Sequence, residues 1–341
     1  MQSNILEALR IIIVMAGCLV SIQAAAKDSV FVGLEDGSVY KCGAKLLPKL
    51  EPAATTDTTT TEQCTKLDGF KNAVTAMLFA KGSLYIGTEG GYMWICNPSQ
   101  AYSCIHLNTF GSEITALAYS GHDKHIYVAT GGGTLLKCPP KEKNSCKDVD
   151  TFSGSRIQTI YVSGDNMYVG TSSSNGYSVT DINSGYWCRV GLYESCLPFS
   201  LKGNGAVMAA KHFGGSVYFA NNQISRCPEI PNKSCVSFYT SGSKETVNFK
   251  SIVVVRSRLI SLSSKGSVVS CPVGHNNSKK CTETYLPIQA TNMVYGRLDS
   301  DFLYSYRGTD LRLTRLITNN SYDFFKFDSN IYSILYVKGV K

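Results

Sequence analysis

Along the chain, short apolar runs alternate with clusters of Gly, Ser and Asn, the pattern of strands joined by tight turns. One run recurs in a fixed frame, apolar-Tyr-apolar-small-Thr. It reads Leu84-Tyr85-Ile86-Gly87-Thr88, Ile126-Tyr127-Val128-Ala129-Thr130 and Met167-Tyr168-Val169-Gly170-Thr171, with Val217-Tyr218-Phe219-Ala220-Asn221 as a close variant. A small fourth residue leaves room for a neighbouring sheet to approach closely. A second apolar run precedes each of these across a hairpin-type turn: Val74 to Phe79, Ile114 to Tyr119, Ile157 to Val162 and Val207 to His212. A third predicted strand ends at a cysteine, as in Tyr92-Met93-Trp94-Ile95-Cys96. A fourth starts at the next cysteine, as in Cys104-Ile105-His106-Leu107.

The cysteines carry the period. Cys96/Cys104, Cys138/Cys146, Cys188/Cys196 and Cys227/Cys235 are C-x7-C pairs, Cys271/Cys281 is C-x9-C, and Cys42/Cys64 brackets an insertion. From Cys96 to Cys271 the first members lie 42, 50, 39 and 44 residues apart. A unit without cysteines follows, with runs at Thr291–Tyr295, Leu303–Tyr306, Leu311–Leu316 and Tyr322–Phe327. The first unit opens directly on Val30-Phe31-Val32-Gly33, its second strand, so Ile331–Val337 is expected to return and supply the missing first one.

Four short antiparallel strands in each unit of about 40–45 residues make an all-β array. The chain resembles the seven-bladed β-propeller superfamily over essentially all of residues 27–341, read as a single domain with a C-terminal strand closing the first blade. Six blades with an appended hairpin is the alternative count. The WD dipeptide and the kelch double glycine are absent. With blade strands lettered A to D from the axis outward, the repeat implies that each cysteine pair bridges its own C–D hairpin. Spacing alone leaves the connectivity open. The resemblance also implies that the D–A and B–C connections share one face, and the A–B and C–D connections the other. Two blades depart from the frame: Leu262 and Tyr306 replace the small residue, and Arg307 stands in place of Thr. Such departures mark either function or ordinary repeat divergence.

Composition changes the picture in two respects. With 43% hydrophobic and 17% charged residues, the 341-residue chain is not a disordered one. Residues 1–26 read as a secretory signal, with Arg10 ending the n-region, an apolar Ile11–Val20 and a cleavage site at Ala24-Ala25-Ala26. Cleavage there removes Cys18 and leaves twelve cysteines, an even count that suits disulfides in an oxidising compartment. The formal charge of +8 is spread over all units, with no basic run longer than Lys279-Lys280. Nothing here reads as nucleic-acid binding or as a membrane span, and no motif calls for a cofactor or metal. Gly131-Gly132-Gly133 opens no helix and reads as a turn rather than a phosphate loop. His122 and His125 fall in a turn, while His106 and His212 lie in strands.

These readings lead to a secreted, monomeric binding module for an extracellular glycan or protein. Its ligand would sit on the face opposite the bridged C–D loops. Candidate contacts are Glu89, Glu113, Arg156, Asn204 and Arg307, from the B–C and D–A connections. The alternative is a secreted propeller enzyme of hydrolase, lyase or cyclase type with its active site at the channel mouth. Sequons at Asn232, Asn276 and Asn319 would place glycans on the bridged face, and Ala53–Thr61 is a low-complexity insertion in the first C–D loop.

Overall fold

The computed structural model describes residues 27–43, 64–173, 185–203, 205–241, 247–255, 257–273, 280–285, 292–297, 301–315 and 321–340. The signal segment, the Ala53–Thr61 insertion, Asn204, Asn276 and Asn319 lie outside them.

Every strand in these residues is short and antiparallel to its neighbours. The first sheet contains β1 (Lys27–Leu34), β2 (Ser38–Gly43) and β3 (Cys64–Gly69). Sheet 2 is β4 (Val74–Ala80), β5 (Ser83–Thr88), β6 (Tyr92–Cys96) and β7 (Cys104–Thr109). Sheet 3 is β8 (Ile114–Tyr119), β9 (Ile126–Thr130), β10 (Thr134–Cys138) and β11 (Lys147–Thr151). Sheet 4 is β12 (Ser155–Ser163), β13 (Asn166–Ser173), β14 (Gly185–Arg189) and β15 (Leu197–Pro198). Sheet 5 is β16 (Ala209–Phe213), β17 (Ser216–Ala220), β18 (Ile224–Pro228) and β19 (Val236–Tyr239). Sheet 6 is β20 (Phe249–Val255), β21 (Arg258–Ser263), β22 (Ser267–Pro272) and β23 (Thr282–Tyr285). Sheet 7 is β24 (Asn292–Arg297), β25 (Asp301–Arg307), β26 (Asp310–Arg315) and β27 (Ser321–Lys326). The last strand, β28 (Ile331–Val340), pairs with β1 and completes sheet 1, so there are seven four-stranded sheets among the described residues.

The first strands of successive sheets, β4, β8, β12, β16, β20 and β24, touch in order, and β28 lies between β24 and β4. They form a closed inner ring, with the later strands of each sheet further out. The fold is a β-propeller. Closure by β28 joins the two ends of the described chain and leaves no open edge in the ring.

The repeat frame has a physical meaning at each position. A Cβ added to Gly33 would lie 2.4 Å from Val74 Cγ1, and one on Gly87 would lie 2.5 Å from Ile114 Cγ2. The small residue of one sheet therefore receives a branched side chain from the inner strand of the next. At the closure joint, Tyr306 takes the glycine's place. It packs with Ile331 in a shared apolar cluster, and its hydroxyl donates to the Tyr332 carbonyl at 2.7 Å. Its departure from the frame is thus part of the joint that closes the ring.

The repeated Thr clamps the B–C turn. Tyr92 N–H donates to Thr88 Oγ1 at 3.2 Å and Thr134 N–H to Thr130 Oγ1 at 3.0 Å, while Asn221 and Ser263 accept from Gln223 and Ser267 in the same way. The turn glycine that follows is equally constrained. Gly133 has φ +83°, its carbonyl accepts from Phe152 N–H at 2.8 Å, and a Cβ there would meet the Ser155 carbonyl oxygen at 2.4 Å. Gly131-Gly132-Gly133 is accordingly a strand-to-strand turn.

All six cysteine pairs bridge as the repeat implies: Cys42–Cys64, Cys96–Cys104, Cys138–Cys146, Cys188–Cys196, Cys227–Cys235 and Cys271–Cys281. The bridged loops also reach backwards. Tyr102, Asn144 and Glu194 each stand two residues before the second cysteine and adopt positive φ. Their N–H groups donate to Leu67, Leu107 and Val149 in the outer strand of the preceding sheet. These three bridges, Cys96–Cys104, Cys138–Cys146 and Cys188–Cys196, therefore hold strained turns that latch one sheet to the last.

Candidate functional site

The B–C turns bond to the D–A connections: Glu35 N–H to the Asn330 carbonyl, Glu89 N–H to that of Ala73, and Gly131 N–H to that of Glu113. The A–B turns meet the C–D loops on the other side, as in Val190 N–H to the Asp165 carbonyl at 2.9 Å. The two kinds of connection thus separate onto opposite faces.

On the first face, two of the sequence-derived candidates come together. Glu113 leads into β8 of sheet 3, and Arg156 lies at the start of β12 of sheet 4. Arg156 Nη2 is 2.5 Å from Glu113 Oε2, and their side chains are 36% and 22% exposed. Gly131 lies beside the pair, and a Cβ on it would stand 2.9 Å from Arg156 Nη1. The absent side chain leaves that edge of the guanidinium uncovered. Glu89 and Arg307 are exposed in the turns of sheets 2 and 7, and Asn204 is outside the described residues. Gly132 N–H donates to Ser112 Oγ at 3.0 Å, which ties the sheet 3 turn to the connection that leads into β8.

A feature that sequence reasoning missed is a bulge at the entry of the inner strands. Pairing slips between Val74 and Ala76, Ile114 and Ala116, Ile157 and Thr159, and Phe249 and Ser251. The extra residues are Thr75, Thr115, Gln158 and Lys250. Thr75 Oγ1 donates to the Ile114 carbonyl at 2.5 Å, whereas Thr115 Oγ1 is buried without a hydrogen-bond partner. Gln158 Nε2 donates to Ser172 Oγ at 2.7 Å, two residues from Arg156. At three of the four, the visible signal was a polar residue following a branched one, Thr or Gln inside an apolar run, while Lys250 follows Phe249.

On the opposite face, the turn histidines serve structure. His125 Nδ1 lies 2.5 Å from the Asp123 carbonyl. Asp123 Oδ2 accepts from Tyr127 OH at 2.7 Å and meets Lys137 Nζ at 3.0 Å. Burial alone would raise the Asp123 pKa. Hydrogen bonds from Tyr127, Lys137 and Ser120, together with the Lys137 charge, carry it below the usual carboxylate value instead. Tyr127 is fully buried and in turn accepts Gly191 N–H at 2.9 Å from the bridged loop of sheet 4. His106 stacks edge-on with Trp94 at 5.0 Å. No cluster of three His, Cys, Asp or Glu side chains suited to a metal occurs among the described residues.

No family model matches the chain. No curated protein matches it either. Solved structures do. The computationally designed Ika8 protein is similar with a TM-score of 0.59 at 14% identity, over 90% of this chain and 87% of that one. The WD40 β-propeller domain of Doa1 is similar with a TM-score of 0.61 at 10% identity, over 78% and 86%. At such identities the likeness is one of fold.

Proposed function

We propose that the protein is a secreted binding module for an extracellular glycan or protein, engaged on the face opposite the bridged loops. The observation that carries this reading is the Glu113–Arg156 pair beneath the side-chain-free Gly131. A guanidinium presents several N–H donors in a fixed fork, and Glu113 occupies one edge of it. The edge beside Gly131 suits a carboxylate or an amide oxygen of a ligand. Six bridges within the chain agree with an oxidising, extracellular setting, as does the signal read at residues 1–26. Among the described residues, no helix is long and apolar enough to cross a membrane. Asn232 is exposed in the bridged loop of sheet 5, so a glycan there would leave the proposed binding face clear.

The reading is tested by screening the purified protein against arrays of acidic and neutral glycans and an extracellular protein panel. Arg156→Ala should weaken a detected interaction by about tenfold or more, as expected for a lost charge-assisted contact, with unchanged thermal stability. Gly131→Val should weaken it as well by covering the guanidinium. Silence across all panels, or a ligand indifferent to both substitutions, would overturn the reading.

A further inference from the structure

The joints between sheets provide an internal control. Where sheet 1 meets sheet 2, Phe31 stacks on Phe79 at 6.4 Å and 14°. Where sheet 7 meets sheet 1, Tyr304 stacks on Tyr336 at 6.0 Å and 24°. Where sheet 4 meets sheet 5 the same positions hold Tyr168 and His212, stacked at 6.0 Å and 6°. Two further positions change at this joint. Ser163 ends β12 where Ala80 ends β4, and Glu229 stands two residues past its cysteine, where other sheets have Pro98, Pro140, Val190 and Val273. Serine also follows β8 at the position of Ser163, as Ser120, so the histidine and the carboxylate are what set this joint apart.

Their geometry is connected. Ser163 Oγ lies 3.2 Å from His212 Nδ1, and His212 Nε2 lies 3.5 Å from Glu229 Oε1. Asn166 Nδ2 donates to the same Glu229 oxygen at 3.0 Å, and Trp187 Nε1 donates to Asn166 Oδ1 at 2.8 Å. Tyr168 OH donates to the Glu229 carbonyl at 3.1 Å. Burial first, and the Glu229 charge second, hold that phenol well above its usual pKa, so it stays a donor. Nε2 is buried, makes no hydrogen bond and lies 3.5 Å from Glu229 Oε1, while Nδ1 faces the serine. Ser163 is half-buried at the lip of the exposed Gly164–Asp165 turn, and a Cβ on Gly164 would meet nothing within 4 Å. The turn that follows the serine is open to solvent.

We propose that Ser163, His212 and Glu229 form a serine-type acyl-transfer site for small carboxylic esters, on the bridged face between sheets 4 and 5. Ser163 Oγ attacks the ester carbonyl carbon and forms an acyl–oxygen bond, while its proton passes to His212 Nδ1. The bond to the alcohol breaks, and the alcohol leaves with that proton. A water, deprotonated by Nδ1, then attacks the acyl carbon and breaks the bond to Oγ. The carboxylic acid departs and the proton returns to the serine. Ser163 and His212 are the catalytic residues. Glu229 is a positioning residue: its carboxylate stands 3.5 Å from Nε2, on the ring edge away from the serine. The amides of Gly164 and Asp165, in the exposed turn, follow the nucleophile directly in sequence and are the donors assigned to the oxyanion.

The test is to treat the folded, purified protein with a fluorophosphonate probe and locate the adduct by peptide mass spectrometry, with p-nitrophenyl acetate hydrolysis in parallel. The expected result is a single adduct on Ser163, absent after Ser163→Ala. His212→Phe restores the aromatic joint of the other sheets and should fold normally while losing labelling rate by about a hundredfold or more. Glu229→Gln should slow labelling by about tenfold and displace its pH profile, a readout that a packing role would not move. An unlabelled Ser163, labelling no faster than in denatured protein, or equal labelling in His212→Phe would each overturn the proposal.

Discussion

The joint between sheets 1 and 2 and the joint between sheets 4 and 5 use the same positions to different ends. Both seat a branched residue of the next sheet against a strand-B glycine, Val74 on Gly33 and Val207 on Gly170. Both stack a strand-B aromatic flat against a ring of the following inner strand. At the first, both stacked rings are phenylalanines. In the second, the ring is a histidine with a serine 3.2 Å from one nitrogen and a carboxylate 3.5 Å from the other. The difference separates what the ring needs, a glycine and a flat ring, from what it merely tolerates. A nitrogen in the ring adds nothing to stacking at the first joint, so its polar neighbours at the second require another account.

The largest effect should come from the glycines. A Cβ on Gly170 would lie 2.6 Å from both Val207 Cγ1 and the Val207 carbonyl oxygen. Gly170→Ala should therefore cost about 3 kcal/mol, because backbone cannot turn aside. Gly33→Ala meets only side-chain atoms, of Val74 and Ser333, and should cost less. Denaturant unfolding of the two variants would separate them, and equal losses would erase this distinction between the joints.

Next come the bridges. Replacing Cys188 and Cys196 by Ser, or Cys96 and Cys104 by Ser, should each cost about 2–3 kcal/mol from loop closure. Each loss should be accompanied by faster amide exchange at Glu194 or Tyr102, whose N–H groups latch onto the preceding sheet. A loss of stability without faster exchange would confine the bridges to their own hairpins.

The joint between sheets 3 and 4 offers a pH test. The Asp123 pKa is lowered in the folded protein, so its contribution is complete above the ordinary carboxylate range and fades as pH falls through the lowered value. Asp123→Asn should flatten that acid dependence in urea titrations across pH 2–6 and lower stability near neutrality by about 1 kcal/mol. Tyr306→Phe, which removes one hydrogen bond at the closure joint, should also cost about 1 kcal/mol in the same titrations near neutrality. The smallest shift belongs to His212→Phe, which should stay within about 1 kcal/mol because it rebuilds the stack of the first joint. A large loss there would mean that the polar joint is structural after all.

Much of this was legible from spacing. The period of the cysteine pairs, the apolar-Tyr-apolar-small-Thr frame and a first unit lacking its inner strand placed the hairpins, the bridges and the returning strand β28. Gly131-Gly132-Gly133 was readable as a turn because strand-type runs flank it on both sides. The candidate site was legible only in part. Glu113 and Arg156 were picked out as polar residues on the right kind of connection, but so were Glu89 and Arg307, which lie exposed in the turns of sheets 2 and 7. His212 read as an ordinary strand residue, since its partners Ser163 and Glu229 stand 49 and 17 positions away in the chain.

The chain by itself therefore determined the unit, because hydrogen-bonded hairpins and their bridges are local and leave a fixed spacing of turn and cysteine residues. Which residues meet between units was decided only by the tertiary structure. Ring closure sets each sheet against the next through side chains about one repeat apart, and no local pattern records that registration. Arg156 beside Glu113 and His212 between Ser163 and Glu229 both belong to that second kind of contact.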